Sequence, residues 1–201
     1  RRSTISFRLR GTGTGRLFQR TGPDTIMPEA QSTLVLGGAA SGKSAFSENL
    51  VLRMPGRPVY IATAQAFDAE MTGKIALHRA RRGDLWTTVE EPLDLARAIA
   101  GVDTDDAIVL VDCLTLWLNN LMAAERDVAA ETDLLVETMR AAPGHIVLVA
   151  NEVGLGIVPE NALARAFRNL HGTLNQAVAA AADRVVFVAA GLPLTLKGSF
   201  D

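Results

Sequence analysis

A three-layered α/β fold, with a mostly parallel sheet and helices on both of its faces, is the class this sequence predicts. Two features carry that reading. From Ser32 onward, short β-rich runs alternate with helical patterns. The runs are near-continuous in Val, Ile and Leu, without the polar alternation of a sheet that has one face in water. Strands of that kind are buried on both faces, as parallel strands flanked by helices are.

The first run, residues 33–36, breaks into glycines, and a helix is expected behind them over 43–53. A second strand is expected over 58–62, then a basic helical pattern over 69–82 and a strand over 86–89. A helix over 93–100 leads to the apolar run 107–111, which ends at Asp112. Helices over 114–124 and 132–141 precede a strand over 145–150. The longest helical pattern, 162–182, stops at Asp183, and a last strand is expected over 184–188. No repeat or low-complexity tract interrupts this order.

Composition narrows the class. A chain of 201 residues, 48% of them hydrophobic, can bury one substantial core and is short for two domains with a linker. One domain is expected over residues 32–201. Asp112, the pair Asn119 and Asn120, and the pair Asp183 and Arg184 interrupt the longest apolar runs. None therefore offers the roughly 20 uncharged residues of a membrane-spanning helix. A soluble, cytoplasmic protein without a membrane span is expected. The single cysteine, Cys113, excludes an internal disulfide and suits a reducing compartment. A net charge of -2 argues against a nucleic-acid partner, since such proteins usually carry a strong basic excess.

Residues 1–31 differ in kind. The first 26 hold six arginines and one acid, Asp24, with Gly and Thr alternating from Gly11 to Gly15 and no helical or strand periodicity. They read as a disordered or upstream leader, with Met27 a plausible start; a transit peptide or a phosphate-binding arm is the alternative.

Gly37, Gly38, Ala39, Ala40, Ser41, Gly42, Lys43 and Ser44 fit G-x-x-x-x-G-K-[ST]. They stand where a buried strand gives way to a helix, the context that this phosphate-binding loop requires. Glycines let successive N–H groups turn inward on a phosphate, and the helix N-terminus adds positive potential. Lys43 is expected at the β- and γ-phosphates, and the Ser44 hydroxyl on Mg²⁺. Asp112, at the carboxyl end of "AIVLVD", occupies the place where such proteins carry the acid that orients Mg²⁺, and it is the second expected metal residue. Cys113 beside it reads as core packing.

Two further stretches are open to more than one reading. Asn151 and Glu152 leave the strand 145–150 at its carboxyl end, where ligands of open α/β sheets gather, and Gly154 and Gly156 permit close backbone approach; an ordinary loop explains them as well. In "KIALHRARR", Lys74 lies four residues before His78, with Arg81 and Arg82 three and four after it, so on a helix they share one face. Neighbouring cations disfavour the imidazolium and leave a ring nitrogen free as nucleophile or base, while the guanidinium groups match phosphate oxygens. A histidine on a solvated basic helix has the same spacing. His145 and His171 lack such surroundings and read as structural.

Six segments in order, "LVLGGAASGKS", "YIATAQAFDAEM", "KIALHRARR", "WTTVEEP", "VLVDCLTLWLNNL" and "VLVANEVGLGIVPENALARAFRNLHGTLNQAVAAAAD", resemble the bifunctional adenosylcobinamide kinase and adenosylcobinamide-phosphate guanylyltransferase family of cobalamin biosynthesis. The resemblance runs from about Thr33 to Lys197. It implies a P-loop NTPase-like, RecA-like sheet, with GTP and ATP as substrates and a corrinoid acceptor. It implies a covalent guanylyl intermediate on His78, with Lys43 as the other catalytic residue. It places nucleotide phosphates in the loop Gly37 to Ser44. Around the GTP it places Thr63, Ala64 and Gln65, together with Arg79, Ala80, Arg81 and Arg82. Asp112 takes the position of an acidic GTP-binding residue, with Glu90 a neighbour. A homo-oligomer, a trimer, is also implied. Many members have Arg where this chain has Ala40, so one phosphate-facing charge is missing.

Three other classes compete. A P-loop small-molecule kinase without guanylyl transfer shares the loop and Asp112 and is the principal alternative. A switch GTPase calls for Asn-Lys-x-Asp and D-x-x-G, where the sequence has "NEVG" and "DCLT". A nucleotide-sensing module predicts binding without turnover.

Overall fold

The computed structural model describes residues 31–65, 85–102 and 106–199. Its strands are β1 (Ser32–Gly37), β2 (Arg57–Ala62), β3 (Thr87–Glu90), β4 (Ala107–Asp112), β5 (His145–Asn151), β6 (Arg184–Ala189) and β7 (Leu192–Lys197). Between them lie the helices α1 (Lys43–Arg53), α2 (Leu95–Ala100), α3 (Leu114–Ala123), α4 (Val128–Ala141) and α5 (Ala162–Ala181). One sheet of seven strands results, in the order β3-β2-β4-β5-β1-β6-β7. All its pairings are parallel except the last, β6 with β7. This is the three-layered, mostly parallel arrangement that the alternation of strands and helices predicts, and the P-loop NTPase-like, RecA-like sheet that the resemblance implies.

The core has two halves because the sheet buries both faces. On one face Leu34, Leu36, Ile61, Val109, Val111 and Leu148 meet the apolar sides of α2 to α5, with Trp117, Leu118 and Leu121 of α3 at the centre. On the other, Val35, Tyr60, Leu110, Val147 and Val149 pack with Val51 of α1 and with Trp86. Residues 34 and 36 thus serve one layer and 35 the other, which is why an unbroken apolar run suits a central strand. At the amino end of β1, Ser32 donates from its N–H (2.9 Å) and its hydroxyl (2.7 Å) to Asp183 Oδ2, tying the central strand to the start of β6. Burial alone would raise the Asp183 pKa, but these bonds, with help from Lys197, hold it below the ordinary carboxylate value.

Element bounds differ from the sequence reading where side chains set them. Helix α4 starts at Val128, four residues early, because the Asp127 carboxylate caps it by accepting from the N–H of Ala129 and Ala130. Helix α2 starts at Leu95, two residues late, because Glu91 Oε1 accepts from the N–H of Leu93 and Asp94 and holds them in a turn. The sequence reading has no counterpart for β7. Its hairpin turns on Ala190 and Gly191, both with positive φ (51° and 79°), the geometry that two-residue hairpins favour. The expected helix over 69–82 lies outside the described residues, as do residues 1–30 of the expected leader.

Candidate functional site

The six parallel strands all deliver their carboxyl ends to one edge of the sheet, and the glycine loop, Thr63, Glu90, Asp112 and Asn151 gather there. Gly37 pairs in register with Asn151, and Ala62 lies between Glu90 on one side and Asp112 on the other. Adjacent strands are about 4.8 Å apart, so two spacings, about 10 Å, separate β1 from β4 with β5 between them.

Close packing forces the glycine loop into its shape. A Cβ on Gly37 would stand 2.5 Å from the Val188 carbonyl and 2.5 Å from Ser41 Oγ, so only hydrogen fits. Gly42, at φ 93°, lies against the hairpin turn, where a Cβ would come within 3.1 Å of Gly191 Cα. The Gly191 N–H donates to the Ser41 carbonyl at 2.8 Å, binding turn to loop. Ala40, with φ 55°, is held in the left-handed region without a glycine's freedom. Helix α1 begins at Lys43 and Ser44, directly after the loop. Lys43 Nζ donates to the Gly38 carbonyl at 3.1 Å, folding the ammonium over the loop's own backbone. Ser41 Oγ is buried and has no hydrogen-bond partner among the described residues. A glycine loop at a helix N-terminus, with a folded-back ammonium and an unmatched hydroxyl, is a receptor for an anion with several oxygens.

Asp112 ends β4, and its Oδ2 accepts a hydrogen bond from the Tyr60 hydroxyl at 3.0 Å. Tyr60 is buried, with Trp86 edge-on at 5.8 Å. Next to Asp112, Cys113 is buried and its thiol is pushed up to about 11, first by desolvation and then by the Asp112 charge. Thr63, expected to line the site, spends its hydroxyl elsewhere: it donates to the Cys113 carbonyl (2.8 Å) and accepts from the Cys113 N–H (2.9 Å). Its side chain is fully buried and clasps the ends of β2 and β4 together. Ala64 and Gln65 follow at the same edge, half-buried, and Glu90 is exposed. His78, Arg79, Ala80, Arg81 and Arg82 lie outside the described residues.

Several polar residues that the sequence reading passed over support this edge. Asn120 of α3 donates to the carbonyls of Thr63 (2.8 Å) and Pro92 (3.0 Å), and Trp117 Nε1 donates to the Leu93 carbonyl (2.8 Å). They hold the turns after β2 and β3. Asn175 Nδ2 donates both to the Asn151 carbonyl and to His171 Nδ1, each at 3.2 Å. That orientation makes Nδ1 the acceptor, so Nε2 carries the proton and donates to Thr115 Oγ1 at 2.9 Å. Thr115 Oγ1 also accepts the Asn151 N–H at 2.8 Å. Burial lowers the His171 pKa against the opposing pull of Glu152. The network fixes the end of β5, and the Glu152 N–H donates to the Gly37 carbonyl at 2.9 Å, so the chain after β5 is anchored to the glycine loop. The sequence signal for these residues was faint: isolated polar side chains in otherwise apolar helices, whose partners lie far along the chain.

The family model described as cobinamide kinase / cobinamide phosphate guanyltransferase matches residues 33–196. The chain is 47% identical over 167 residues to the bifunctional adenosylcobalamin biosynthesis protein CobP of Pseudomonas aeruginosa, covering 82% of this chain and 96% of that protein. It is 39% identical over 179 residues to the bifunctional adenosylcobalamin biosynthesis protein CobU of Salmonella typhimurium, covering 82% of this chain and 98% of that one. The corresponding protein of Escherichia coli is 38% identical over the same length. The glycine loop, Asp112 and the network behind Asn151 all fall within the matched span, and the chain belongs to the cobinamide kinase / cobinamide phosphate guanyltransferase family.

Proposed function

We propose that the chain phosphorylates adenosylcobinamide and then guanylylates the product. In the first reaction, the amides of the loop from Gly37 to Ser44 hold the phosphates of ATP or GTP. Lys43 exchanges its bond to the Gly38 carbonyl for phosphate oxygens and offsets the charge that develops as the γ-phosphoryl group moves to the acceptor's hydroxyl. In the second, a His78 ring nitrogen forms a bond to the α-phosphorus of GTP while the bond to the β-phosphate oxygen breaks and pyrophosphate leaves. The phosphate of adenosylcobinamide phosphate then takes GMP from the histidine, giving adenosylcobinamide-GDP and restoring the imidazole. Covalent catalysis divides one difficult transfer between two anions into two steps.

The donor set suits Mg²⁺: the Ser44 hydroxyl and the Asp112 carboxylate are hard oxygens, and nucleotide phosphates supply more. When bound, the ion would neutralise charge on the bridging phosphate oxygens. Tyr60 holds the Asp112 carboxylate in one orientation. Thr63 to Gln65, Glu90 and Arg79 to Arg82 complete the GTP site in this reading, and Thr63 takes part through its backbone because its hydroxyl is engaged with Cys113. The chain acts in the cytoplasm as a homo-oligomer, a trimer, with residues 32–201 as one domain and without a nucleic-acid partner. No helix among the described residues is long and apolar enough to cross a membrane.

The observation that carries the proposal is the family match over residues 33–196, with a phosphate-binding loop at the sheet edge that also bears Asp112. The test is incubation with α-labelled GTP and Mg²⁺, comparing wild type with His78→Ala. Acid-labile, base-stable label on the wild type and none on the variant is expected. Label that survives in the variant places the nucleophile elsewhere, and an unlabelled wild type leaves a kinase alone.

A further inference from the structure

The segment between β5 and α5 combines an ordered backbone with apolar side chains turned to water. Leu155 is 82% exposed, Ile157 96%, Val158 59%, and Leu163, in the first turn of α5, 67%. None of these side chains is spent on the core. Polar groups hold the segment instead: Glu152 Oε1 accepts from the Gly154 N–H, Arg165 Nη1 donates to the carbonyls of Pro159 and Glu160, and Asn161 caps α5 by accepting from Leu163 and Ala164. A loop fixed in this way has no structural need for Leu, Ile and Val at its surface. A cluster of large apolar side chains in water marks a binding surface.

Its place in the fold says what it binds. The segment leaves the sheet at the carboxyl edge, and its root is bonded to the glycine loop through the Glu152 N–H and the Gly37 carbonyl. Ile157 is five residues beyond Glu152, so chain length alone keeps it within about 17 Å of that bond. The other exposed apolar row, Leu192, Leu194 and Leu196 of β7, starts beside the turn that touches the glycine loop and runs away from it, down the edge strand toward the opposite end of the sheet. The surface after β5 is the one that gathers its apolar side chains along a loop rooted on the phosphate loop. The reaction proposed above needs an acceptor with a bulky macrocycle whose rim carries methyl groups between its amide arms, and from which a hydroxyl-bearing arm hangs. We infer that Leu155, Ile157, Val158 and Leu163 form the seat for the methyl-bearing rim of the corrinoid ring, leaving its hydroxyl-bearing arm to reach the nucleotide phosphates. This assignment rests on the corrinoid reading of the acceptor.

The test uses the full chain and cobinamide itself, whose visible absorbance reports binding in equilibrium dialysis without nucleotide. Leu155→Ser and Ile157→Ser alter exposed side chains and leave the core untouched. Each is expected to raise the Kd for cobinamide about tenfold, the loss that follows when one aliphatic side chain no longer becomes buried on binding. Guanylylation of the protein by α-labelled GTP, which involves no corrinoid, is expected to be unchanged. Equal cobinamide affinity in wild type and both variants overturns the seat alone, and a changed oligomeric state with unchanged affinity does so by making the patch a contact between subunits. A wild type that labels itself but binds no cobinamide overturns the acceptor assignment, and the seat falls with it.

Discussion

The Tyr60 hydroxyl reaches the Asp112 carboxylate across the adjacent strands β2 and β4, at 3.0 Å. Because Trp86 packs edge-on against the same ring, the phenol is held independently of any ligand. Tyr60→Phe keeps that packing and frees the carboxylate to rotate. Thermal stability is expected to change by about 1 kcal/mol or less. The Mg²⁺ concentration for half-maximal kinase activity is expected to rise about tenfold, as when the outer partner of a metal ligand is removed. A Mg²⁺ titration checks this, and an unchanged midpoint contradicts it.

Neighbouring glycines of the loop are expected to respond differently to the same substitution. Gly37→Ala sets a methyl group 2.5 Å from the Val188 carbonyl, a backbone atom that cannot swing away, whereas a methyl on Gly38 meets nothing within 4 Å. The first variant is expected to lose about 2–3 kcal/mol and its nucleotide binding, the cost of overpacking a tight site. The second is expected to fold like wild type. Chemical denaturation and nucleotide titration of the pair separate steric from chemical effects.

His171 gives stability a dependence on mild acid. Its folded pKa lies below the ordinary 6.5, because burial opposes the charge. Protonation would also direct an N–H from Nδ1 at the Asn175 amide nitrogen that now donates to it. The unfolded chain takes up the proton first, so the contribution is complete above pH 6.5 and shrinks as pH falls through the lowered folded value. Glu152 opposes the shift. Denaturation at pH 7.5 and 5.5 should show wild type weakening. His171→Gln should be about 1–3 kcal/mol less stable at the higher pH, having lost a matched buried group, and flatter between the two.

Cys113 is expected to resist thiol reagents. With its thiol pushed up to about 11, the thiolate fraction near neutrality is far below that of a free cysteine. Labelling of the native protein is expected to be at least about 100-fold slower than that of the denatured chain. Fast native labelling would mean that the β4 end opens readily.

The sequence revealed much of the architecture because strand and helix periods are local. Helix α1 runs from Lys43 to Arg53 as the spacing predicts, and the six parallel strands lie within a residue of their expected bounds. The gathering of the glycine loop and Asp112 at one edge was legible too, since each directly follows or ends a parallel strand, whereas Thr63 and Glu90 came only from the resemblance. The edge strand β7 went unseen because Leu192, Leu194 and Leu196 alternate with Pro193 and Thr195 instead of forming an apolar run. What holds the edge together was also hidden. Tyr60 and Asp112 are 52 positions apart, and Asn120 and Thr63 are 57 apart. Such pairings depend on which strands become neighbours, and periodicity does not record that.

The glycine loop leans on the turn between β6 and β7: Gly191 bonds to Ser41, and β1 itself is flanked by β5 and β6, both from the last third of the chain. An emerging polypeptide therefore exposes its glycine-loop residues early and cannot shape them until the strands β5 and β6 have left the ribosome, a late and long-range event of the kind that slows folding. Nicking the protein between β6 and β7 should accordingly be felt first as lost nucleotide retention, well before the rest of the sheet gives way.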